Sequence, residues 1–348
     1  MIPHHVIFLH GIGKTCDDFS LRLQRTIRKE FMARVTHLSS DTPPENSLHF
    51  DEARWCDVTQ PDQDRLWDTL FDWMSPRGCL PAWSKFKARP LTGLMNIIYR
   101  LKYWSLLRRL VINLQGDVIA YLESPGTNKY GQIHRHVYAA FERCAALTCT
   151  TTTASPRNPA LITVVAHSLG AVIASDMLYD TLIKKTRWWP PQIRLANLIS
   201  LGSPLALYAL RYGPEAFQKT VRMQDRNGLW INIYDPQDVI GYPLKGLNAA
   251  YRDAVFIDKV INAGQWWNPW HLLRQWTLFS HDLYFEDNTV AAIIGRKAAL
   301  DWLQTNRPNL EAQLKQEYGR YRTWLATVDG GLFPYFQRWR EAPGKTPG

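Results

Sequence analysis

Residues 161–170, LITVVAHSLG, constrain most strongly what this chain can fold into. The first six of them, ending at Ala166, form an apolar run rich in β-branched side chains, which is typical of a buried strand in a parallel sheet. After Ser168 the pattern changes, and apolar residues recur at helical spacing: Leu169, Val172, Ile173, Met177 and Leu178. The sequence therefore predicts a buried strand that gives way to a helix at Ser168.

A serine at such a strand-to-helix turn sits on a tight, strained elbow with its hydroxyl clear of the sheet. The N-terminus of the helix behind it presents free N–H groups and a partial positive charge to an oxyanion. In the elbow pattern G-x-S-x-G, Ala166 replaces the first glycine and Gly170 keeps the second. Ser203 also follows a predicted strand, but no elbow glycine follows it, which favours a turn role. The alternative for Ser168 is a capping serine between an ordinary strand and helix.

Other polar residues follow further predicted strands. The turn His10-Gly11-Ile12-Gly13 comes directly after an apolar run at 6–9, and its glycines would let the backbone lie close to a substrate carbonyl. Asp235 and Asp238 follow the predicted strand 230–234, and either could orient a histidine. His281 comes later, in Ser-His-Asp. The order serine, acid, histidine is the order of a hydrolase triad on such a sheet.

Composition narrows the class of protein and its surroundings. The chain has 348 residues, of which 46% are hydrophobic and 21% charged, as in a globular protein. A net charge of +10 favours binding to an anionic membrane surface or to an acidic ligand. The positive charge is spread along the chain and no nucleic-acid-binding motif accompanies it, which argues against nucleic acid as a partner. No signal region and no long apolar run are visible, so we expect a cytoplasmic protein. The cysteines are odd in number and lack metal spacing, which predicts free thiols in a reducing compartment: Cys16, Cys56, Cys79, Cys144 and Cys149.

Residues 83–122 form an unusual segment that combines an apolar face with basic residues. One interpretation is a helical lid or a membrane-facing amphipathic segment, and the other is an insertion packed on the body with a solvated basic side. We predict a hydrolase domain over 1–303 that includes this segment, followed by a basic, aromatic-containing extension over 304–348. A peripheral contact with anionic membrane is the partner that this charge pattern suggests.

Five segments together resemble the α/β-hydrolase superfamily, and more narrowly its serine esterase and lipase branch, which includes GPI-inositol-deacylase-like proteins. They are HGIG, VVAHSLG, LGSPLAL, DPQDVIGY and SHDLYF. The resemblance covers roughly residues 6–303, apart from 83–122. It implies an α/β fold, with a mainly parallel sheet flanked by helices, and ester or thioester hydrolysis without metal or cofactor. Two departures are Ala166 and the expected absence of a leading strand pair before HGIG.

The resemblance also implies roles for single residues. It favours Asp238 over Asp235 as the acid, which gives a triad of Ser168, Asp238 and His281. The backbone N–H groups of Ile12 and Leu169 would form the oxyanion hole. The remaining candidates would contact the substrate: His10, Gly11, His167, and the tryptophans Trp266, Trp267 and Trp270 of an aromatic loop.

The sequence therefore predicts a serine hydrolase that cleaves carboxylic esters of a small molecule or lipid, with a hydrophobic acyl group. Two alternatives stay open. One is a thioesterase, or a phospholipid or GPI deacylase, at a membrane surface. The other is a catalytically idle hydrolase-fold protein that binds a hydrophobic ligand or a partner.

Overall fold

Six strands form one sheet in which every neighbouring pair is parallel. A computed structural model of the chain describes residues 1–13, 18–40, 42–71, 112, 115–122, 128–151, 154–216, 220–263 and 278–328. The strands are β1 (His4–Leu9), β2 (Leu48–Ala53), β3 (Ala160–His167), β4 (Ile193–Leu201), β5 (Leu229–Tyr234) and β6 (Val255–Val260). Their spatial order is β2-β1-β3-β4-β5-β6.

Helices alternate with these strands along the chain. They are α1 (Leu21–Ser39), α2 (Gln60–Phe71), α3 (Lys129–Thr151), α4 (Leu169–Leu182), α5 (Leu205–Ala216, kinked at Gly213), α6 (Ala249–Ala254), α7 (Asn288–Asn306) and α8 (Glu311–Thr327). Short 3₁₀ segments lie at Glu45–Ser47, Cys56–Val58, Leu278–Glu286 and Pro308–Leu310. The described residues thus have an α/β architecture, which the sequence predicted in this coarse form.

Successive side chains of β1 point to opposite faces of the sheet, and they contact helices on both faces. Val6 and Phe8 are fully buried and belong to the core cluster that α1 and α7 share. His5 points to the other face, where its Nε2 lies 2.8 Å from Thr148 Oγ1 of α3. His134 of α3 lies 3.8 Å from an Asp180 carboxylate oxygen of α4, which places α3 and α4 together on that face.

The chain divides into two compact units. The first comprises Met1–Gly11, Cys16–Arg54 and His134–Gly348, and it contains the whole sheet. The second comprises Ile12–Thr15 and Trp55–Ile133. Within the second unit, Asp117 accepts a hydrogen bond of 2.6 Å from the Gly13 N–H and another of 2.6 Å from Gln63 Nε2.

Several element bounds differ from the sequence prediction. Apolar residues at every fourth position predict a helix at 17–32, whereas the helix of the structure begins at Leu21 and continues to Ser39. The sequence also predicts a helix at about 130–146 and a loop over 149–159, whereas the helix continues to Thr151. The reason is that Thr148 is buried and its hydroxyl donates to the Cys144 carbonyl one turn back, which accommodates a β-branched polar residue inside the helix.

Strand β6 was not predicted, because Asp258 and Lys259 interrupt its apolar pattern. The Asp258 carboxylate is satisfied by hydrogen bonds. It accepts from the Leu244 and Lys245 N–H groups of a loop and from Asn232 Nδ2 of β5. Asp258 can therefore occupy β6, the strand at one edge of the sheet, because backbone N–H groups of a nearby loop bind its carboxylate.

Two predicted regions fall largely or wholly outside the described residues. They are most of the 83–122 segment and the part of the predicted extension beyond residue 328. Within the 83–122 segment, residues 115–121 are described and are helical. The predicted boundary at 303 falls inside α7, and α8 packs on α7 with Tyr318 Oη donating to Asp301 Oδ1 at 2.8 Å. None of the described helices is both long and apolar enough to cross a membrane.

Candidate active site

The carboxyl ends of parallel strands meet at one edge of the sheet, where ligands bind in open α/β proteins. Three candidate positions follow strands at this edge. Ser168 comes directly after β3, Gly202 directly after β4, and Asp235 directly after β5. The predicted residues therefore converge because the sheet is parallel.

Ser168 has the backbone geometry of a strained elbow. Its φ is 53° and its ψ is −130°, and a positive φ is uncommon for a residue with a side chain. The Ser168 N–H donates to the Leu201 carbonyl at 2.9 Å, which ties the elbow to the end of β4. Leu169 is the first residue of α4, so its N–H has no acceptor within the helix.

The turn after β1 lies against this elbow. A Cβ atom at Gly11 would stand 2.7 Å from Ser168 Cβ and 3.3 Å from its Oγ, so a side chain there would fill the space over the serine. A Cβ atom at Gly170 would collide with the His10 carbonyl oxygen. This close approach explains why the second elbow glycine is kept.

Buried Asp238 and partly buried His281 form a pair in which the histidine Nδ1–H donates to Asp238 Oδ2 at 2.8 Å. Tyr284 Oη donates to the same oxygen at 2.8 Å, and the Ile240 N–H donates to Oδ1 at 2.9 Å. Burial alone would raise the pKa of Asp238, but the hydrogen bonds and charge of His281, together with these donors, outweigh it and lower the pKa. The carboxylate is therefore held ionised and fixes the imidazole by its Nδ1.

The second ring nitrogen of His281 is the atom that such a pair prepares for proton transfer. With Nδ1 protonated, a neutral ring has its lone pair on Nε2. His281 Nε2 is buried and has no hydrogen-bond partner among the described residues, Ser168 included. Buried polar atoms without a partner are rare, and catalytic hydrogen bonds are often long in unliganded enzymes.

Gly202 fits between the strand end and this pair. Its φ is +52°, and a Cβ atom there would lie 2.7 Å from Asp238 Oδ2 and 3.1 Å from His281 Nδ1. A residue with a side chain would be strained by the backbone and would push the carboxylate and imidazole apart. Glycine at this position therefore allows the pair to form directly over the end of β4.

Asp235 has a different role. Its Oδ1 accepts from the Gln237 N–H and its Oδ2 from the Ala263 N–H, each at 2.8 Å. Burial is the main cause that raises its pKa. Both oxygens are used to hold backbone, so Asp235 closes the turn after β5, and the geometry favours Asp238 as the partner of His281.

His10 and His167, predicted to contact substrate, make internal contacts. His167 Nε2–H donates to the His281 carbonyl at 2.7 Å, and the two rings stand 4.6 Å apart. Burial first, and then the neighbouring His281, lower the pKa of His167 to about 3, so its ring is neutral. His10 Nδ1–H donates to the Gly11 carbonyl at 2.7 Å. These contacts position the backbone of the site.

Tyr284 is a site residue that sequence reasoning missed. Its hydroxyl donates to Asp238 and accepts the Asp235 N–H at 2.8 Å, so it links the two aspartates. The available signal was its place three residues after His281, in the same 3₁₀ segment. Ser203, by contrast, behaves as predicted for a turn residue, because its hydroxyl accepts from the Leu205 N–H at 3.2 Å.

The other predicted site residues are not tested by this geometry. Ile12 belongs to the second unit, so its part in an oxyanion hole stays a prediction. Trp266, Trp267 and Trp270 lie outside the described residues.

The two aspartates give a direct comparison. We expect Asp238→Asn to lower kcat on a short ester by about 10³ to 10⁴-fold, because an amide cannot hold the imidazole in the required tautomer. Asp235→Asn should lower kcat far less and act mainly on stability. Parallel kinetics and thermal melts of the two variants measure this; the reverse ranking of kcat would transfer the role to Asp235.

Comparisons with protein-family models, with curated proteins and with solved structures found no match to this chain.

Proposed function

We propose that this protein is a serine hydrolase with an α/β-hydrolase fold that cleaves carboxylic esters. The observation that carries the proposal is the combination of Ser168 on a positive-φ elbow with a carboxylate-bound histidine whose Nε2 is buried and unpartnered within the described chain. Each part has a structural explanation alone, but together they supply a nucleophile, a base and an orienting acid.

In the proposed reaction, His281 Nε2 takes the Ser168 proton while Oγ attacks the ester carbonyl carbon. Asp238 stays ionised and stabilises the imidazolium. The Leu169 N–H, at the start of α4, would stabilise the oxyanion. Collapse of the tetrahedral intermediate breaks the ester C–O bond, and His281 returns the proton to the leaving alcohol. Water then attacks the acyl-enzyme by the same route and releases the acid.

The identity of the acyl group is part of the proposal and rests on sequence alone. The tryptophan loop and the apolar 83–122 segment favour a hydrophobic acyl chain, and the basic residues of that segment favour docking on an anionic membrane. A thioester would follow the same steps, so p-nitrophenyl esters and acyl thioesters of equal chain length should be assayed together.

A fluorophosphonate probe tests the proposal, because it phosphonylates an activated serine and leaves ordinary serines unmodified. We expect one adduct per chain, mapped by tandem mass spectrometry to Ser168. Ser203→Ala is the matched control, since Ser203 is also a buried serine, two residues after the end of a parallel strand, and this variant should label normally.

Ser168→Ala should not label, and neither should heat-denatured protein. A folded wild-type chain that takes up no probe would favour the idle, ligand-binding alternative. An adduct on another serine would remove Ser168 from the mechanism.

A further inference from the structure

Three side chains of metal-binding residue types meet on the face of the sheet that α3 covers. His5 of β1 and His49 of β2 are direct partners in the parallel register, and Cys144 of α3 lies over them. One possible ligand atom from each residue lies within 4.8 Å of the other two. The described part of the chain brings no other group of three such residues this close together.

The distance between the two imidazoles suits a metal ion. His5 Nδ1 and His49 Nδ1 are 3.3 Å apart. Two nitrogens on a tetrahedral zinc ion, each about 2.0 to 2.1 Å from the metal, stand about 3.3 to 3.4 Å from each other. The same distance is long for a hydrogen bond between two imidazoles. The two rings are therefore spaced as neighbouring ligands of one ion.

A second hydrogen bond fixes which nitrogen of His5 is free. The Thr148 hydroxyl donates to the Cys144 carbonyl at 2.7 Å, so it receives the Nε2–H of His5 at 2.8 Å. Neutral His5 then has its lone pair on Nδ1, the atom that faces His49. Histidine ligands usually donate their other ring N–H to an oxygen in this way, which sets the tautomer and the ring orientation.

The protonation states agree with this geometry. Burial lowers the pKa of His5 to about 3 and also lowers the pKa of His49, so both rings are neutral. Burial raises the pKa of the Cys144 thiol. An ion entering the site must therefore displace the thiol proton, and His49 must carry its single proton on Nε2.

We propose that His5, His49 and Cys144 bind a divalent ion of the zinc type, with two imidazoles and one thiolate as protein ligands. This donor set suits zinc and its spectroscopic substitute cobalt, and not magnesium or calcium, which require oxygen ligands. The fourth position is open to water, because His49 is only partly buried. Binding releases one proton, from the thiol.

This site is separate from Ser168. His5 is four residues before the carboxyl end of β1, a distance of about 13 Å along the strand, so the ion would connect β1, β2 and α3 without reaching the reacting atoms. Cysteine spacing along the chain gives no sign of it, because the three ligands come from three separate elements.

Cobalt titration of the tag-free full chain, first stripped of metal with a chelator, tests the proposal. We expect one Co²⁺ per chain, visible d–d bands of tetrahedral intensity, and a thiolate-to-cobalt charge-transfer band in the near ultraviolet. Zinc should displace the cobalt and raise the melting temperature. No uptake of cobalt, or bound cobalt without the thiolate band, would overturn the site and leave a simple hydrogen bond between His5 and His49.

Four variants make the test specific. Cys144→Ser should abolish the thiolate band, while Cys149→Ser, at an exposed cysteine on the same helix, should keep it. His49→Gln, at a partly buried position, should weaken zinc binding by more than 100-fold without disturbing the core. Thr148→Val should weaken it by about 10 to 100-fold through loss of the supporting hydrogen bond. A band that survives Cys144→Ser, or disappears in Cys149→Ser, would mean that a different thiol binds the ion.

Discussion

For the proposed hydrolase, we expect Ser168→Ala to lower kcat for a p-nitrophenyl ester by about 10⁶-fold, because in the proposed mechanism Ser168 forms the acyl-enzyme and acts as a unit with Asp238 and His281. The residual rate would come from substrate binding and oxyanion contacts alone. Steady-state kinetics with a short-chain ester measure the effect, and a single-turnover burst in the wild type would report the acyl-enzyme. A variant that keeps even one-hundredth of the wild-type kcat would contradict Ser168 as nucleophile.

Stability measurements separate loss of chemistry from loss of fold. Alanine has the same conflict with a positive φ as serine, so Ser168→Ala should melt close to the wild type. Ser168→Gly should be equally inactive but more stable than the alanine variant by about 1 kcal/mol, since glycine adopts this φ without strain. Equal stability of the two variants would argue against a strained elbow.

Acid should unfold this protein over a range set by buried histidines. Burial lowers the pKa of five of them in the folded chain: to about 4 for His134, to about 3 for His4, His5 and His167, and below its usual range for His49. In the unfolded chain a histidine titrates near 6.5. Because a lowered pKa means that the unfolded chain takes up protons first, full stability is present above about pH 6.5 and is lost as pH falls toward 4.

The expected loss is roughly 1 kcal/mol in the free energy of unfolding per pH unit and per histidine. Guanidinium unfolding at pH 7.5, 6.0 and 5.0 measures it. His134→Gln should reduce the dependence on pH by about one fifth, since it is one of five such histidines, and His136→Gln, at an exposed position on the same helix, is its control. Identical pH profiles for the wild type and His134→Gln would show that His134 becomes protonated without unfolding.

Local sequence patterns were sufficient to predict the elements around Ser168. The apolar run before it and the helical spacing after it are properties of one short segment, and both β3 and α4 follow them closely. The parallel sheet then brings later strand ends to the same edge, so residues 235–238 could be placed near Ser168 from chain order alone.

The choice between the two aspartates needed atomic positions. Asp235 and Asp238 occupy the same loop and differ only in where their oxygens point, which depends on Tyr284 and on the backbone of residue 263. These partners come from segments that are 28 to 49 residues distant in sequence. No periodicity or spacing rule carries such information, and the same holds for the meeting of His5, His49 and Cys144.

The two hydrogen bonds between Ile2 and Asn306 have a consequence for how the protein is made. The Ile2 N–H donates to the Asn306 side chain at 2.8 Å, and the Asn306 amide donates back to the Ile2 carbonyl at 2.9 Å. These bonds join the chain just before β1 to the end of α7, which also packs on the apolar faces of β1 and α1. A ribosome synthesises α7 about 15 to 60 s after β1. During that interval Phe8 and Phe31 lack their final cover, so their apolar surface stays exposed on the nascent chain.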